Sequence, residues 1–360
     1  MASARAPLLL LLLAAVVLAV AQAAPLSAAA SKQQQTPSAA ATATTPSPSV
    51  GATTQRVAPS VATRELPSID SYSKMSTSEL RESFLIEKVF APGEILLTYT
   101  TSALDRLILG GAMPTADQPL ELSIAAAPAP SSSSSSSLGT AVLDRRELAI
   151  FNIGPGNATV ELRGKEGDDA PREFALGVEE VVYVPLGTQS VVMRAASSSS
   201  SNLAPKLFLA SAPCRAAYPA ALATPETANV LRLGAPETAN VRALRQMIAP
   251  GVGPSSCQLM VGMTKLSPGS VLNTMPPHRH LRRSEAYLYF NLDEKSRVFH
   301  FLGRPEETRH LVAANEQIAL SPPWSIHAGA GTSAYSFVWV MAGENQSFSD
   351  QDPVPTATLL

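Results

Sequence analysis

Short apolar, β-branched runs bounded by glycine or proline recur along most of this 360-residue chain, and they constrain its fold more than any other feature. One set comprises Ile95–Tyr99, Arg106–Leu109, Leu148–Asn152, Thr159–Arg163, Glu180–Val184 and Ser190–Arg194. A second comprises Cys257–Thr264, Ser270–Thr274, Ala286–Asn291, Val298–Phe301, Gln317–Leu320 and Ser336–Met341. Runs of this length at near-regular spacing are the strands of a sandwich or barrel. Two sets of six predict an all-β chain built from two tandem β-sandwich (jelly-roll) units. Helical signals are few. Ser76-Thr77-Ser78-Glu79 has the form of a capping box and predicts a short helix through Phe84. Val241–Met247 is expected to form a second short helix, entering the second unit.

The ends and joints of the chain differ in composition. Arg5 precedes an apolar run from Leu8 to Val20, followed by Ala19-Val20-Ala21 and Ala21-Gln22-Ala23. A charged start, a short apolar core and A-x-A sites predict a signal peptide over residues 1–23 and entry into the secretory pathway. The run is shorter than the roughly 20 residues needed to span a bilayer, and an uncleaved anchor is the alternative. Residues 24–65 form an Ala/Ser/Thr/Pro tract that cannot bury enough apolar surface to offset its chain entropy, and are read as a spacer. The first unit is placed at 66–212, a linker at 213–249, the second unit at 250–352 and a tail at 353–360. Ala125–Ser137 and Ala195–Ser201 end in serine runs and read as expanded surface loops. The linker repeats Pro-Glu-Thr-Ala-Asn-Val at 225–230 and 236–241, too few copies for a solenoid. Asn157 and Asn345 begin glycosylation sequons, which matter only in a secreted chain.

Charge excludes some partners. The net charge of −2, with 16% charged residues, leaves no basic field for nucleic acid or an anionic membrane. Two cysteines, Cys214 and Cys257, exclude a disulfide-rich scaffold and any four-cysteine metal site. They permit one bridge, tying linker to second unit, or two buried thiols.

The five histidines, at 278, 280, 300, 310 and 327, all fall within one 50-residue window. Any imidazole site therefore belongs to the second unit. His278 and His280 are two apart, so on a strand they share a face. Glu285 must return to them through a turn over Leu281–Ser284. His327 closes the segment Pro322-Pro323-Trp324-Ser325-Ile326-His327. Three imidazoles and a carboxylate form a mixed N/O donor set for a divalent first-row metal.

H-x-H-x4-E followed by P-x-W-x-x-H resembles the cupin metal signature, with Trp324 where glycine is usual. The chain is also similar to the 5-keto-4-deoxyuronate isomerase family. Stretches that carry the likeness include Leu80–Phe90, Asp144-Arg145-Arg146-Glu147-Leu148, Phe151–Gly154 and Asn273-Thr274-Met275-Pro276. Others are His278–Glu285, Pro305–His310, Trp324–His327 and Gly343-Glu344-Asn345-Gln346. Together they run from about residue 70 to 352. The resemblance implies a bicupin fold and one zinc ion on His278, His280, Glu285 and His327. It also implies a homohexamer and ketol isomerisation of 4-deoxy-L-threo-5-hexosulose uronate to 3-deoxy-D-glycero-2,5-hexodiulosonate in pectin breakdown. The leader, spacer and serine loops are not family features, and family members are usually cytoplasmic. Pro185-Leu186-Gly187-Thr188-Gln189-Ser190 has the P-x-G-x-x-H form with Ser190 in place of histidine, which predicts a first unit that has lost its metal site.

The chemistry needs more than a metal. A ketol isomerisation passes through an enediol, where a Lewis acid stabilises charge on the carbonyl oxygen and a base shuttles the proton. The sequence leaves the catalytic base unknown. His310 is the first candidate, with Glu306, Glu307 and Tyr287 behind it, while His300 is read as a packing residue. Arg282, Arg283 and Arg309 are candidates for the substrate carboxylate, since guanidinium matches it bidentately. Trp324 either walls the pocket or fills core. Two rival functions remain: an iron cupin oxygenase or other metal enzyme on the same ligands, and a non-catalytic secreted cupin.

Overall fold

A computed structural model describes residues 58–124, 142–164, 170–196, 203–344 and 347–360. The leader, the spacer up to residue 57, both serine runs and the sequon at Asn345 lie outside the described residues.

The chain is a bicupin in which two sandwiches pair a seven-stranded sheet with a smaller one. In the first, the larger sheet has the order Ser60–Arg64, Ile95–Thr100, Ile108–Ala112, Leu207–Pro213, Arg146–Asn152, Val181–Val184, Ala221–Ala223. Its smaller sheet has the order Leu120–Ser123, Ser190–Ala195, Ala158–Arg163, Arg172–Leu176. The second sandwich repeats this plan. Its larger sheet runs Asn229–Leu233, Arg242–Ile248, Met260–Leu266, Ser336–Gly343, Arg283–Phe290, Gln317–Ser321, Leu85–Ile86. Its smaller sheet runs Glu307–Ala313, Val298–Arg304, His327–Gly331, Leu272–Arg279, Asp352–Pro353.

Alternation explains the packing. Along Ala158–Arg163 the residues Ala158, Val160 and Leu162 are buried and their neighbours are not, so one face meets the core and one meets water. Arg146–Asn152 and Arg283–Phe290 are buried at every position. Both are interior strands covered on two faces. Leu148 and Ile150 fill the first sandwich. Ala149, Phe151, Tyr183 and Phe208 belong instead to one continuous apolar core with Ala286, Leu288, Val338 and Val340 of the second.

Several boundaries differ from those read in the sequence. Ser60–Arg64, assigned to the spacer, pairs in parallel with Ile95–Thr100. The helix Thr77–Phe84 has the expected capping box, with Ser76 N donating to Glu79 Oε2 at 2.7 Å. The helix buries Leu80 and Phe84 against the second sandwich, and Leu85–Ile86 adds an edge strand there. Residues near 70–86 therefore serve the second unit.

The 213–249 stretch is not a bare linker. Ala221–Ala223 pairs with Val181–Val184, and Asn229–Leu233 forms a hairpin with Arg242–Ile248. The duplicated hexapeptide supplies the turn before each hairpin strand. The helix expected at Val241–Met247 is a strand because pairing with Met260–Leu266 overrides local propensity. The tail is also tied down. Asp352–Pro353 pairs with His278 and Arg279, and Thr308 N–H donates to Leu360 O at 2.9 Å. Cys214 and Cys257 are free thiols, and burial pushes the Cys214 thiol up to about 12.

The sandwiches are joined at Glu147. This buried carboxylate accepts the N–H groups of Cys257 at 2.7 Å, Gln258 at 2.6 Å and Leu259 at 2.7 Å, together with the Tyr183 hydroxyl at 2.8 Å. Glu147→Ala leaves three backbone donors and a phenol without an acceptor. Each orphaned buried group costs about 1–3 kcal/mol, so the variant is expected to lose about 3 kcal/mol or more. Urea denaturation tests this, and an unchanged midpoint would refute the anchoring role.

Candidate metal centre

Strand pairing assembles the donor set. His278 lies on Leu272–Arg279 directly opposite His327 on His327–Gly331. His280 follows two residues after His278, and Leu281 projects into solvent at the turn that reverses the chain. Glu285 then sits on Arg283–Phe290, opposite Ser321 and Met341. The turn through 281–284 thus returns the carboxylate to the imidazoles, as the spacing required.

One ligand atom from each of His278, His280, Glu285 and His327 lies within 4.8 Å of the others. The ring centroids of His278 stand 4.8 Å from His280 and 4.5 Å from His327. His280 Nε2 is 3.0 Å and His327 Nε2 3.1 Å from the same oxygen, Glu285 Oε2. The His327 contact is not aligned as a hydrogen bond, so this buried nitrogen lacks a satisfying protein partner. Two buried imidazoles and a half-buried one around one carboxylate oxygen are poorly satisfied by one another, and they fit a cation at their centre.

Electrostatics favour the ligand forms of His278, His327 and Glu285. Burial, followed by His327 and His280, pushes His278 down to about 2. Burial alone would lift the Glu285 carboxyl, but His327 and the hydrogen bond from His280 hold it well below the usual range. Neutral imidazoles and an ionised carboxylate are what metal ligation requires. The outer nitrogens are also engaged. His280 Nδ1 contacts Asp350 O at 2.9 Å and His327 Nδ1 contacts Ser321 Oγ at 3.1 Å. These contacts orient the rings with Nε2 toward Glu285.

Three of the four donors, His278, His280 and Glu285, line a cleft of about 240 Å³ together with Tyr287, Thr274 and Arg242. Thr274 has φ +50, unusual for a β-branched residue, where the register shifts between Asn273 and His278. Burial and Glu285 raise the Tyr287 phenol well above its ordinary value, so it enters the cleft protonated.

Most other candidates lie elsewhere. His310 is exposed on the edge strand Glu307–Ala313, 5.9 Å from the ring of Phe299, outside the cleft lining. Glu306 and Glu307 also lie outside the lining, and Glu307 stands 3.7 Å from Arg304. Arg282 pairs with Asp350 at 2.8 Å. Arg283 is buried and donates to the carbonyls of Ser347, Phe348 and Asp350. Arg309 holds the carbonyls of Ser73 and Met75. Trp324 fills core between Tyr72 and Phe84, at centroid distances of 4.9 and 6.4 Å. Arg242 and Thr274 were missed as site residues. Thr274 lies within the Asn273-Thr274-Met275-Pro276 stretch that carries the family likeness, whereas Arg242 carries no local signal.

The first sandwich has the same register without the donors. Ser123 faces Ser190 as His278 faces His327, and Leu148 occupies the strand position that corresponds to Glu285. Among the described residues, the one group of side chains able to hold a metal is the set in the second sandwich.

The KduI/IolB family model matches residues 129–354. The chain belongs to the KduI/IolB family. One relative of this KduI/IolB member is a 4-deoxy-L-threo-5-hexosulose-uronate ketol-isomerase 1 of Rhizobium meliloti, 42% identical over 301 residues, which covers 83% of this chain and 99% of that protein. Another is the 4-deoxy-L-threo-5-hexosulose-uronate ketol-isomerase of Burkholderia cenocepacia, 46% identical over 287 residues, covering 79% of this chain and 95% of that protein. Among solved structures, an IolB-like protein from Salmonella typhimurium aligns with a TM-score of 0.55 at 15% identity, over 76% of this chain and 97% of that one, and shares the fold.

His300 is a buried, neutral core residue in contact with the Tyr289 hydroxyl at 2.8 Å, and burial pushes it down to about 3. Its folded pKa lies below the unfolded value near 6.5, so its protons bind preferentially to the unfolded chain. Its contribution to stability is complete above pH 6.5 and is lost as pH falls toward 3. His300→Phe removes that dependence. The stability gap between wild type and variant is expected to narrow below pH 6.5 in denaturation series. A constant gap from pH 7 to 4 would contradict the assignment.

Proposed function

We propose that this chain is a metal-dependent ketol-isomerase, converting 4-deoxy-L-threo-5-hexosulose uronate to 3-deoxy-D-glycero-2,5-hexodiulosonate in pectin-derived uronate breakdown. The observation that carries the reading is the convergence of His278, His280, Glu285 and His327 at a cleft, in a chain so similar to proteins named for that reaction. Zinc as the resident ion, one per chain, and a homohexameric assembly belong to the same proposal. Held by these four side chains, zinc supplies Lewis acidity to the substrate's carbonyl oxygen and no redox chemistry, as an isomerase needs.

The chain's own residues do the rest. Asp350 O and Ser321 fix the outer nitrogens of His280 and His327, so their Nε2 atoms face inward. Tyr287 keeps its proton and directs it at Glu285. Phe337, Trp339 and Met341 form an apolar wall that limits water where charge develops. The reaction is balanced internally: one proton leaves C2 and one arrives at C1, while a hydroxyl proton passes from O2 to O1.

The test uses the full chain. Bound metal is measured by elemental analysis and turnover is followed by NMR with and without chelator. About one zinc per chain and chelator-sensitive isomerisation are expected. Glu285→Gln and His327→Ala are expected to lower metal content and to reduce kcat/KM by about 10³-fold or more, since Lewis-acid stabilisation is worth several kcal/mol. Metal retention with no turnover of this uronate would refute the isomerase reading.

We also propose that residues 1–23 are a cleaved leader directing the chain into the secretory pathway. Expression in a eukaryotic host followed by N-terminal sequencing checks this. A mature chain beginning near residue 24 is expected, and an intact N-terminus in the cytosol would refute it.

A further inference from the structure

The proposed substrate is asymmetric. Its reacting hydroxy-aldehyde occupies C1 and C2, and its carboxylate is at C6. A site for it therefore needs a cation separated from the metal ligands by the length of a short carbon chain. This requirement rests on the isomerase reading above.

Arg282, Arg283 and Arg309 are committed to Asp350 and to backbone carbonyls, and none lines the cleft. Arg242 does, and among the described lining residues it is the one arginine or lysine. Its strand, Arg242–Ile248, lies three strands from Arg283–Phe290 in the same sheet, across Met260–Leu266 and Ser336–Gly343. Leu244, two residues on, lies opposite Thr264, which lies opposite Phe337, and all three line the same cleft. Side-chain alternation puts Arg242 on that same face.

The guanidinium is only lightly engaged. Its hydrogen-bond partner is Asn240 O, to which Nη1 donates at 2.9 Å. Guanidinium carries five N–H donors, so most of its capacity remains. No carboxylate stands within ion-pair distance of it among the described residues. Burial holds the nearby Tyr335 phenol protonated, so it does not neutralise the guanidinium. A half-buried cation without a counter-charge is costly to keep, and it stands at the wall of a cleft that has an anionic guest in the proposed reaction.

We infer that Arg242 binds the C6 carboxylate of the substrate, so that C1 and C2 lie at the His278, His280, Glu285 and His327 end of the cleft. Arg242 is then the residue that selects a uronate over a neutral sugar. The planar fork of guanidinium suits this task, since it grips a carboxylate through two parallel hydrogen bonds.

The test compares wild type, Arg242→Lys and Arg242→Gln as full chains, with metal content and circular dichroism checked for each. Each is assayed on the uronate and on its neutral analogue, in which the carboxylate is reduced to a hydroxymethyl group. Arg242→Gln is expected to raise KM for the uronate about 10- to 100-fold with a smaller change in kcat, as befits loss of a charge-assisted contact. Its kinetics on the neutral analogue should be unchanged, and Arg242→Lys should recover part of the uronate affinity. An unchanged KM for the uronate in Arg242→Gln overturns the inference. So does an equal loss on both substrates in a folded, metal-loaded variant. If wild type does not turn over the uronate, the isomerase reading falls separately. Calorimetric titration with galacturonate then decides Arg242 alone: weaker binding to Arg242→Gln supports it, and equal binding overturns it.

Discussion

A buried carboxylate with all its demands met holds the two sandwiches together. Glu147 lies on an interior strand of the first seven-stranded sheet and reaches three consecutive backbone N–H groups at 257–259, just before the second-sandwich strand Met260–Leu266. The reverse contact exists too. Asp105 of the first unit accepts the Ser284 N–H at 2.9 Å and the Ser284 hydroxyl at 2.6 Å. Ser284 occupies the strand position in the second unit that corresponds to Glu147 in the first. Each of these two strands is thus bound to the opposite unit at the same point, one residue before the position that faces its own interior.

That next position separates the two halves functionally. It is Leu148 in the first sandwich and Glu285 in the second. In the first, an apolar side chain completes a core of Leu, Ile and Val. In the second, a carboxylate faces three imidazoles that cannot all satisfy it. The same fold offers both outcomes because the surrounding register is shared. A core tolerates a buried ionised group only with compensation, so the second site is held by outer contacts that the first does not need. Arg283 and the carbonyl of Asp350 are the clearest of these, gathering the segment 347–350 behind His280.

The donor set was legible in the sequence because three of its members are local. H-x-H puts two imidazoles on one face of a strand, and a short turn returns Glu285. The apolar runs disclosed the strands for a related reason, since a period of two survives without tertiary information. Arg242 was not legible. Its strand reads as helix-compatible, and only pairing with Met260–Leu266 makes it extended. The surface position of His310 does carry a sequence signal. Leu311 and Ala313 alternate with it and point inward, which sends His310 to the surface.

The stretches through which the sequence resembles its family divide between chemistry and bracing. Leu80 and Phe84 seat a helix on the second sandwich, and the Tyr72 hydroxyl accepts the Arg304 N–H and donates to Glu307 O. Arg309 then clamps the carbonyls of that N-terminal segment. Charged residues in a shared motif are therefore weak guides to a substrate site, because a guanidinium that closes open carbonyls is as constrained as one that binds a ligand. What separates the two is whether the donors are spent. Arg146, Arg283 and Arg309 spend theirs on backbone. Arg242 keeps most of its own, and it does so in the wall of the cleft that holds the imidazoles.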